Sequence, residues 1–386
     1  MFVGIEFSGI DGTFLKHIHL RESCLLLLVT RDGNNKLLVI AWCYCLGETS
    51  PNYEYMAEHL KTMGHAMEYM NRAKQLLYSD RMKGIKHFEK HFLCGHANCI
   101  VHIIKNTRDH CIKIPGARHN FHADQIHYIQ QAPTEEEFKE RLRVFENGYP
   151  AAAQYLNDLE HEKVFLYAIM NAGYATHGHR TSNLVEIMNN VLKYARNLDC
   201  YRICDWIVRW WGSKLAERQD VCEKITNEKT LYTPYATELI SKQELFSREG
   251  DMDITRQGKN TYLISENFQD DNPQNRRNGH DGPAIRVERN TVDLQHKTCT
   301  CVFPRHHRLP CKHVILAVDL EGRRGTVQGQ YQFRKDWVAP YFWCENYRNA
   351  YQDVLVYAPD VNNDIYVDVP KGRLRGRLSV IRISVW

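Results

Sequence analysis

An α+β fold is what this sequence predicts, and three observations predict it. Three apolar runs of strand character fill the first fifty residues. Apolar side chains at helical spacing dominate roughly the next stretch of interest, residues 135–220. A compact cluster of cysteine and histidine follows near residue 300. The expected molecule is a β-led N-terminal domain with a helical portion, followed by a small zinc module.

The bulk properties narrow the function classes. A chain of 386 residues suits one large domain or two ordinary ones. With 43% hydrophobic and 25% charged residues it reads as globular, not disordered. The longest uniform apolar run, residues 25–29, is far too short to cross a bilayer, so no membrane partner is expected. No basic cluster followed by an apolar stretch opens the chain, which argues against a signal peptide. Without one, the 13 cysteines read as thiols or metal ligands and not as a disulfide framework. A formal charge of +4 neither demands nor excludes a nucleic-acid partner.

The elements follow in order. Residues 2–10, 24–30 and 36–46 are read as three strands. Arg31-Asp32-Gly33-Asn34-Asn35 joins the second to the third as a hairpin turn, because Asp-Gly and Asn accept positive φ; Asp32 is read as a turn residue only. A helix over 52–64 follows, with Pro51 near its start, where a missing N–H costs nothing. Thr134 and Glu137 have the spacing of a capping box. Phe138, Leu142 and Phe145 then form one apolar stripe. Residues 151–162, 164–172, 184–197 and 204–220 are expected as further helices, and His87 and His91 as one helix face. Tyr262-Leu263-Ile264 is a short strand. Residues 267–283, rich in Asp, Asn, Gly and Arg, read as a loop before a strand resumes at 284–287.

The most specific motif is Cys299-Thr300-Cys301, nine residues, then Cys311-Lys312-His313. Structural zinc takes four tetrahedral N/S ligands from two short-spaced pairs. Cys-x-Cys presents two thiolates from a turn or strand end, and Cys-x-His does so from the start of a helix, here expected over 312–318. His306 and His307, inside the intervening loop, are read as solvent-facing.

This arrangement, with Leu309-Pro310-Cys311-Lys312-His313, resembles a SWIM-type zinc finger, a module found in Mutator-like transposases and their domesticated relatives. Other stretches resemble that family too. Ile10-Asp11-Gly12-Thr13-Phe14-Leu15-Lys16 is similar to the surroundings of its first catalytic aspartate, Ser79-Asp80-Arg81-Met82-Lys83-Gly84 to the second, and Thr181-Ser182-Asn183-Leu184-Val185-Glu186 to the region of its glutamate. Arg31-Asp32-Gly33-Asn34 and Glu48 match its second and third strands, and Cys99 and His102, followed by Asn106, match its Cys-x-x-His signature. The resemblance implies an RNase H-like catalytic core over 1–235 with a helical insertion at about 107–175. A SWIM-type zinc region at 240–325 and a C-terminal tail at 326–386 complete the layout. It implies a DDE triad of Asp11, Asp80 and Glu186 holding Mg2+ or Mn2+, a structural Zn2+, a DNA partner, self-association and a nuclear location.

Each carboxylate has a plainer reading. Asp11 before Gly12 suits a strand-end turn, Asp80 before Arg81 suits a helix N-cap, and Glu186 lies on the polar face of a helix whose buried stripe is Leu184, Met188, Val191, Leu192 and Ala195. Cys99 and His102 are read as bracing or lining the active site; by spacing alone, with Cys94 and His96, they also suit a second zinc. Near the end, Arg375-Gly376-Arg377 resembles an AT-hook, in which arginines flanking a glycine reach into the minor groove.

The sequence departs from the family in two places. Asp11 lies so near Met1 that no N-terminal DNA-binding domain fits before it, and Pro51-Asn52-Tyr53-Glu54-Tyr55 stands where the family has a tryptophan. Two functions are therefore expected as rivals: a metal-dependent transposase, active or a decayed copy, and a non-catalytic DNA- or protein-binding regulator.

Overall fold

The computed structural model describes residues 4–17, 20, 22–80, 84–179, 183–270, 284–322 and 336–354. The fold is mixed α+β, and the chain divides into two compact units: Met1–Thr230 joined by the segment beginning at Cys344, and Leu231–Trp343.

The first unit is built on a five-stranded sheet. Its strands are β1 (Gly4–Phe14), β2 (Ser23–Asp32), β3 (Leu37–Leu46), β4 (Leu76–Ser79) and β5 (Gly95–Asn98), in spatial order β3-β2-β1-β4-β5. β1, β2 and β3 pair antiparallel, whereas β4 and β5 are parallel to β1. The run Cys24-Leu25-Leu26-Leu27-Leu28-Val29 has no exposed surface. β2 lies between β1 and β3 with both faces covered, so its sequence is continuously apolar instead of alternating.

Helices pack on this sheet. On one face Ile10, Leu26, Leu28 and Ile40 pack against Tyr53, Met56, Leu60, Tyr69 and Phe88, which come from α1 (Ser50–Lys61), α2 (Gly64–Met70) and α3 (Ile85–Glu89). A separate helical core, around Ile103, Phe121, Phe138, Phe145, Leu156 and Phe165, joins α4 (Ile100–Ile112), α5 (Ala123–Gln130), α6 (Glu135–Glu146), α7 (Pro150–Asn157) and α8 (Leu166–Asn171). Then come α9 (Asn183–Val191), which packs against β1 and β2, and α10 (Cys200–Glu228), which packs against the helix Cys344–Tyr351.

Several sequence expectations change in detail. β4 and β5, four residues each, carried no sequence signal long enough to read. α9 stops at Val191 and is followed by a short 3-10 turn at Ala195–Asn197, and α10 begins four residues early and ends eight late. Thr134 caps α6 by accepting from the Glu137 amide at 3.2 Å. The reciprocal half of that capping box is absent because the Glu137 carboxylate pairs instead with Arg141 at 2.6 Å. Asp32 is far more than a turn residue. Its Oδ1 accepts from the amides of Asn34 and Lys36, both at 2.9 Å, while Oδ2 meets Arg218 Nε of α10 at 2.8 Å. Both side chains of that pair are almost wholly buried, at 0% and 3% exposure.

The second unit holds an antiparallel sheet of β6 (Met252–Arg256), β7 (Thr261–Asp270), β8 (Ala284–Asp293) and β9 (Thr298–Cys299) in sequence order. Residues 267–270, expected as loop, continue β7. Helices α11 (Pro234–Glu249), α12 (Val302–His307) and α13 (Lys312–Gly322) accompany the sheet. Its core joins Tyr262, Ile264, Val292 and Leu294 to Val314, Ala317, Val318 and Trp337. Among the described residues no helix is long and apolar enough to cross a membrane.

Candidate metal centres

Two groups of side chains gather within ligand distance among the described residues: Cys299, Cys301, Cys311 and His313, and Asp11, Glu48 and Asp80. In each group the donor atoms lie within 4.8 Å of one another.

The first group is assembled by three short elements of the second unit. Cys299 ends β9, Cys301 is the N-cap of α12, Cys311 directly precedes α13, and His313 lies in the first turn of α13. The two spaced pairs thus come from a strand end and a helix start, as their spacing predicts. His313 Nδ1 is 3.8 Å from both Cys299 Sγ and Cys311 Sγ. A tetrahedral zinc with its usual Zn–S and Zn–N distances sets such donors about 3.6 Å apart, so the cluster fits the ion closely. Glu266 of β7 adds an outer partner, its carboxylate 3.5 Å from His313 Nε2 and ion-paired with Lys312. At that length the histidine contact is electrostatic more than a formed hydrogen bond. A carboxylate behind the far ring nitrogen is nevertheless the arrangement that orients a ligating histidine.

Without a metal the three thiols do not all ionise in this space. Hydrogen bonds from Cys301 and Cys311 push the Cys299 thiol down, whereas that of Cys301 is pushed up by its bond to Cys299 and that of Cys311 by burial. A divalent cation removes the conflict by taking all three as thiolates. His307 is not solvent-facing as expected. It is half-buried on α12 against Phe303, and burial pushes its pKa down to about 4.

The second group lies at one end of the five-stranded sheet. β1 and β4 run parallel with Gly9 opposite Tyr78. Two residues further along each strand, on the same face, this register brings Asp11 beside Asp80. Glu48 arrives from the turn between β3 and α1. Tyr53 fixes it by donating its hydroxyl to Oε1 at 2.6 Å. A Cβ added at Gly12 stands only 2.8 Å from the Glu48 carboxyl carbon, so glycine there is what admits the carboxylate. Gly84 does the same for the Tyr53 ring, which a Cβ approaches to 2.4 Å.

Burial and neighbouring carboxylates raise Asp11 and Glu48. The Asp11 carboxyl is pushed up to about 7, first by burial and then by Glu48, against a hydrogen bond from the Gly12 amide, which is 2.8 Å long. Glu48 is raised by burial and by Asp80, against the bond from Tyr53. Hard carboxylate oxygens at these separations fit an octahedral divalent ion, whose ligand oxygens stand about 3 Å apart when adjacent and about 4 Å when opposite.

Cys99 and His102 lie beside this group. Cys99 caps α4, and its amide donates to Ser79 O at 2.8 Å, tying the end of β4 to α4. The His102 imidazole is raised to about 8 by its hydrogen bond with Cys99, with the charges of Asp80 and Asp11 adding to it. His102 thus feels the acidic cluster electrostatically; Cys99 and His102 do not gather with Cys94 and His96 into a second metal-ligand cluster among the described residues.

Glu186 departs from the expected triad. It is half-buried on α9, and its carboxylate is not among the oxygens that gather with Asp11 and Asp80. α9 packs on β1 and β2, with Leu184, Val185 and Met188 buried, and the third carboxylate that gathers with Asp11 and Asp80 is Glu48. Helical periodicity placed Glu186 correctly on the less buried face, but no sequence period marks a turn residue such as Glu48. Arg375, Gly376 and Arg377 lie outside the described residues. No protein-family model matches the chain, and no curated protein matches it.

Proposed function

We propose that this chain is a transposase-like protein of the Mutator-like kind, with an RNase H-like core that cleaves and joins nucleic-acid strands and a SWIM-type zinc module beside it in the chain. The observation that carries the reading is the meeting of Asp11, Glu48 and Asp80 at one end of a β3-β2-β1-β4-β5 sheet. Three antiparallel strands followed by two parallel ones, with one acid on β1 and another just after β4, suit an RNase H-like core.

In this reading Asp11, Glu48 and Asp80 hold Mg2+ or Mn2+, and Cys299, Cys301, Cys311 and His313 hold a structural Zn2+. Divalent ions bound at such carboxylates supply the clamp on the attacking and leaving oxygens of a phosphodiester displacement. The chain's own groups preorganise that site. Gly12 gives Glu48 room and donates to Asp11, Tyr53 orients Glu48, and the Ser79–Cys99 bond sets His102 at the rim. DNA is the proposed substrate, and a nuclear location and self-association follow from the same reading.

The test is strand nicking of supercoiled plasmid in Mg2+ or Mn2+. Nicking that disappears in Asp80→Ala and in Glu48→Gln supports the reading; nicking that survives both removes it. A second reading is favoured by the place of Glu186 outside the acidic cluster: a regulator that binds DNA or protein without cutting. DNA binding with no nicking in either metal, by a chain that does bind Mn2+, is its signature.

A further inference from the structure

Asp80 directly follows β4, and the backbone on both sides of its Cα is held. Each residue has only two soft backbone dihedrals, so the two peptide units that meet at the Asp80 Cα decide where its carboxylate points. The oxygen of the first unit, Ser79 O, accepts from the Cys99 amide at 2.8 Å, where β5 passes into α4. The oxygen of the second, Asp80 O, accepts from Ser79 Oγ at 2.6 Å. That second bond depends on a single buried hydroxyl, since Ser79 is 1% exposed.

The hydroxyl is itself held from behind. His96 of β5 brings Nε2 to 2.8 Å from Ser79 Oγ, and its Nδ1 lies 2.5 Å from Oε1 of Glu89, the last residue of α3. Serine, histidine and glutamate in a row have the outline of a hydrolase triad, but the hydrogens run the other way. In such a triad the serine gives its proton to the histidine. Here the one Ser79 hydrogen goes to Asp80 O, a carbonyl that only accepts, so His96 Nε2 is the donor to Ser79. The Glu89 carboxylate also only accepts, so the Nδ1 that faces it carries a hydrogen as well. Ser79 is therefore no free nucleophile. The row instead ties α3, β5 and the end of β4 to one carbonyl oxygen beside Asp80.

We propose that Glu89, His96 and Ser79 are positioning residues for Asp80. Together they set the peptide unit that follows Asp80, and so aim its carboxylate at Asp11 and Glu48 before a divalent cation arrives. This rests on the reading of Asp11, Glu48 and Asp80 as a divalent-metal site and adds to it the residues that hold one ligand in place. Partners that orient a ligand in this way are typically worth about 10–100-fold in metal affinity.

The experiment measures Mn2+ affinity of the full chain by electron paramagnetic resonance, without nucleic acid, with urea unfolding alongside to show that each variant is folded. Ser79→Ala removes the donor to Asp80 O and is expected to weaken Mn2+ binding about tenfold. His96→Phe keeps the bulk of the ring, loses both donors and is expected to weaken it by a similar factor. His96→Gln, whose amide still donates to Ser79 Oγ, is expected to return to within about threefold of the wild type. Arg218→Met, which loosens the same unit at Asp32, is expected to leave the affinity unchanged. Rescue by glutamine, with no effect of a destabilising change elsewhere, is a pattern that a merely structural role does not produce. Wild-type affinity in Ser79→Ala, a His96→Gln as weak as His96→Phe, or equal losses in Arg218→Met overturns the proposal. Should Ser79→Ala or His96→Phe fail to fold, Glu89→Ala decides, since this side chain is the most exposed of the three: an affinity there within about twofold of the wild type overturns the proposal as well. Asp80→Ala separates the two readings. Mn2+ binding that is lost in Asp80→Ala but unchanged in Ser79→Ala removes the positioning role alone, whereas binding by Asp80→Ala as tight as the wild type's removes the metal site and the positioning role with it.

Discussion

Replacing Asp11 by Asn is expected to make the metal-free protein more stable. The Asp11 carboxyl is raised from 3.8 to about 7, chiefly by burial and by Glu48. In the pH window between those two values the unfolded chain releases a proton that the folded chain keeps. The folded state then binds more protons, so stability falls as pH rises from about 4 to about 7 and stays low above it. Roughly three pKa units at about 1.4 kcal/mol each set an upper limit of about 4 kcal/mol. Relaxation of Glu48 and Asp80 reduces this, and about 2–4 kcal/mol is the expected gain for Asp11→Asn at pH 8. The asparagine oxygen keeps the Gly12 amide bond, so the substitution removes charge and little else. Urea unfolding of protein passed over a chelating resin, followed on the N-terminal unit's transition at pH 4 and pH 8, is the assay. Wild type and variant are expected to coincide at pH 4 and to separate at pH 8, with millimolar Mg2+ closing the gap by stabilising only the wild type. A variant no more stable than wild type at pH 8 refutes the idea that Asp11 is an anion held at a cost.

Three further outcomes are expected. Cys311→Ser should lower zinc from about one per chain to a small fraction by metal analysis, with the lost stability confined to the unit Leu231–Trp343. Arg218→Met should destabilise the N-terminal unit by about 3–5 kcal/mol in urea, because it leaves Asp32 buried without its cation; an effect below about 1 kcal/mol would contradict a structural role for the pair. Glu48→Gln should weaken Mn2+ binding, read by electron paramagnetic resonance, by more than about tenfold, while Glu186→Gln changes it less than about threefold. The reverse order restores Glu186 as the third ligand.

What the sequence made legible follows the range of each signal. Cys299, Cys301, Cys311 and His313 sit within fifteen residues, so spacing alone marked the cluster that gathers and the elements that carry it. The three N-terminal strands were readable because β2 is apolar along most of its length and Asp32-Gly33 marks the turn. β4 and β5 escaped because four residues show no period, and with them went the register that places Asp80 beside Asp11. Glu48 escaped for a similar reason: its position depends on an absent side chain at Gly12 and on Tyr53, a relation between distant atoms that composition does not encode. Asp32 looked like turn chemistry because its local bonds to Asn34 and Lys36 are turn bonds. Its other oxygen answers to Arg218, 186 residues away.

The same sheet buries acids at both ends, and the contrast separates their roles. β1 pairs with Asp32 near Gly4 and with Cys24 near Phe14, so Asp32 stands at one end and the Asp11 group at the other. Asp32 is answered within the chain. Arg218 bonds it directly, donates also to Leu37 O and Lys214 O, and lies against the rings of Trp211 and Tyr351. Every feature there neutralises a buried charge, as a structural ion pair must. At the other end Asp11, Glu48 and Asp80 face one another, with His102 at the rim as the cation that the Asp11 environment feels, and its effect is the smallest of those acting on Asp11. A fold able to bury a full counter-charge for one aspartate leaves three carboxylates short of one. A divalent cation from solution would meet that deficit, and the cost of holding the three carboxylates together without one is what Asp11→Asn measures.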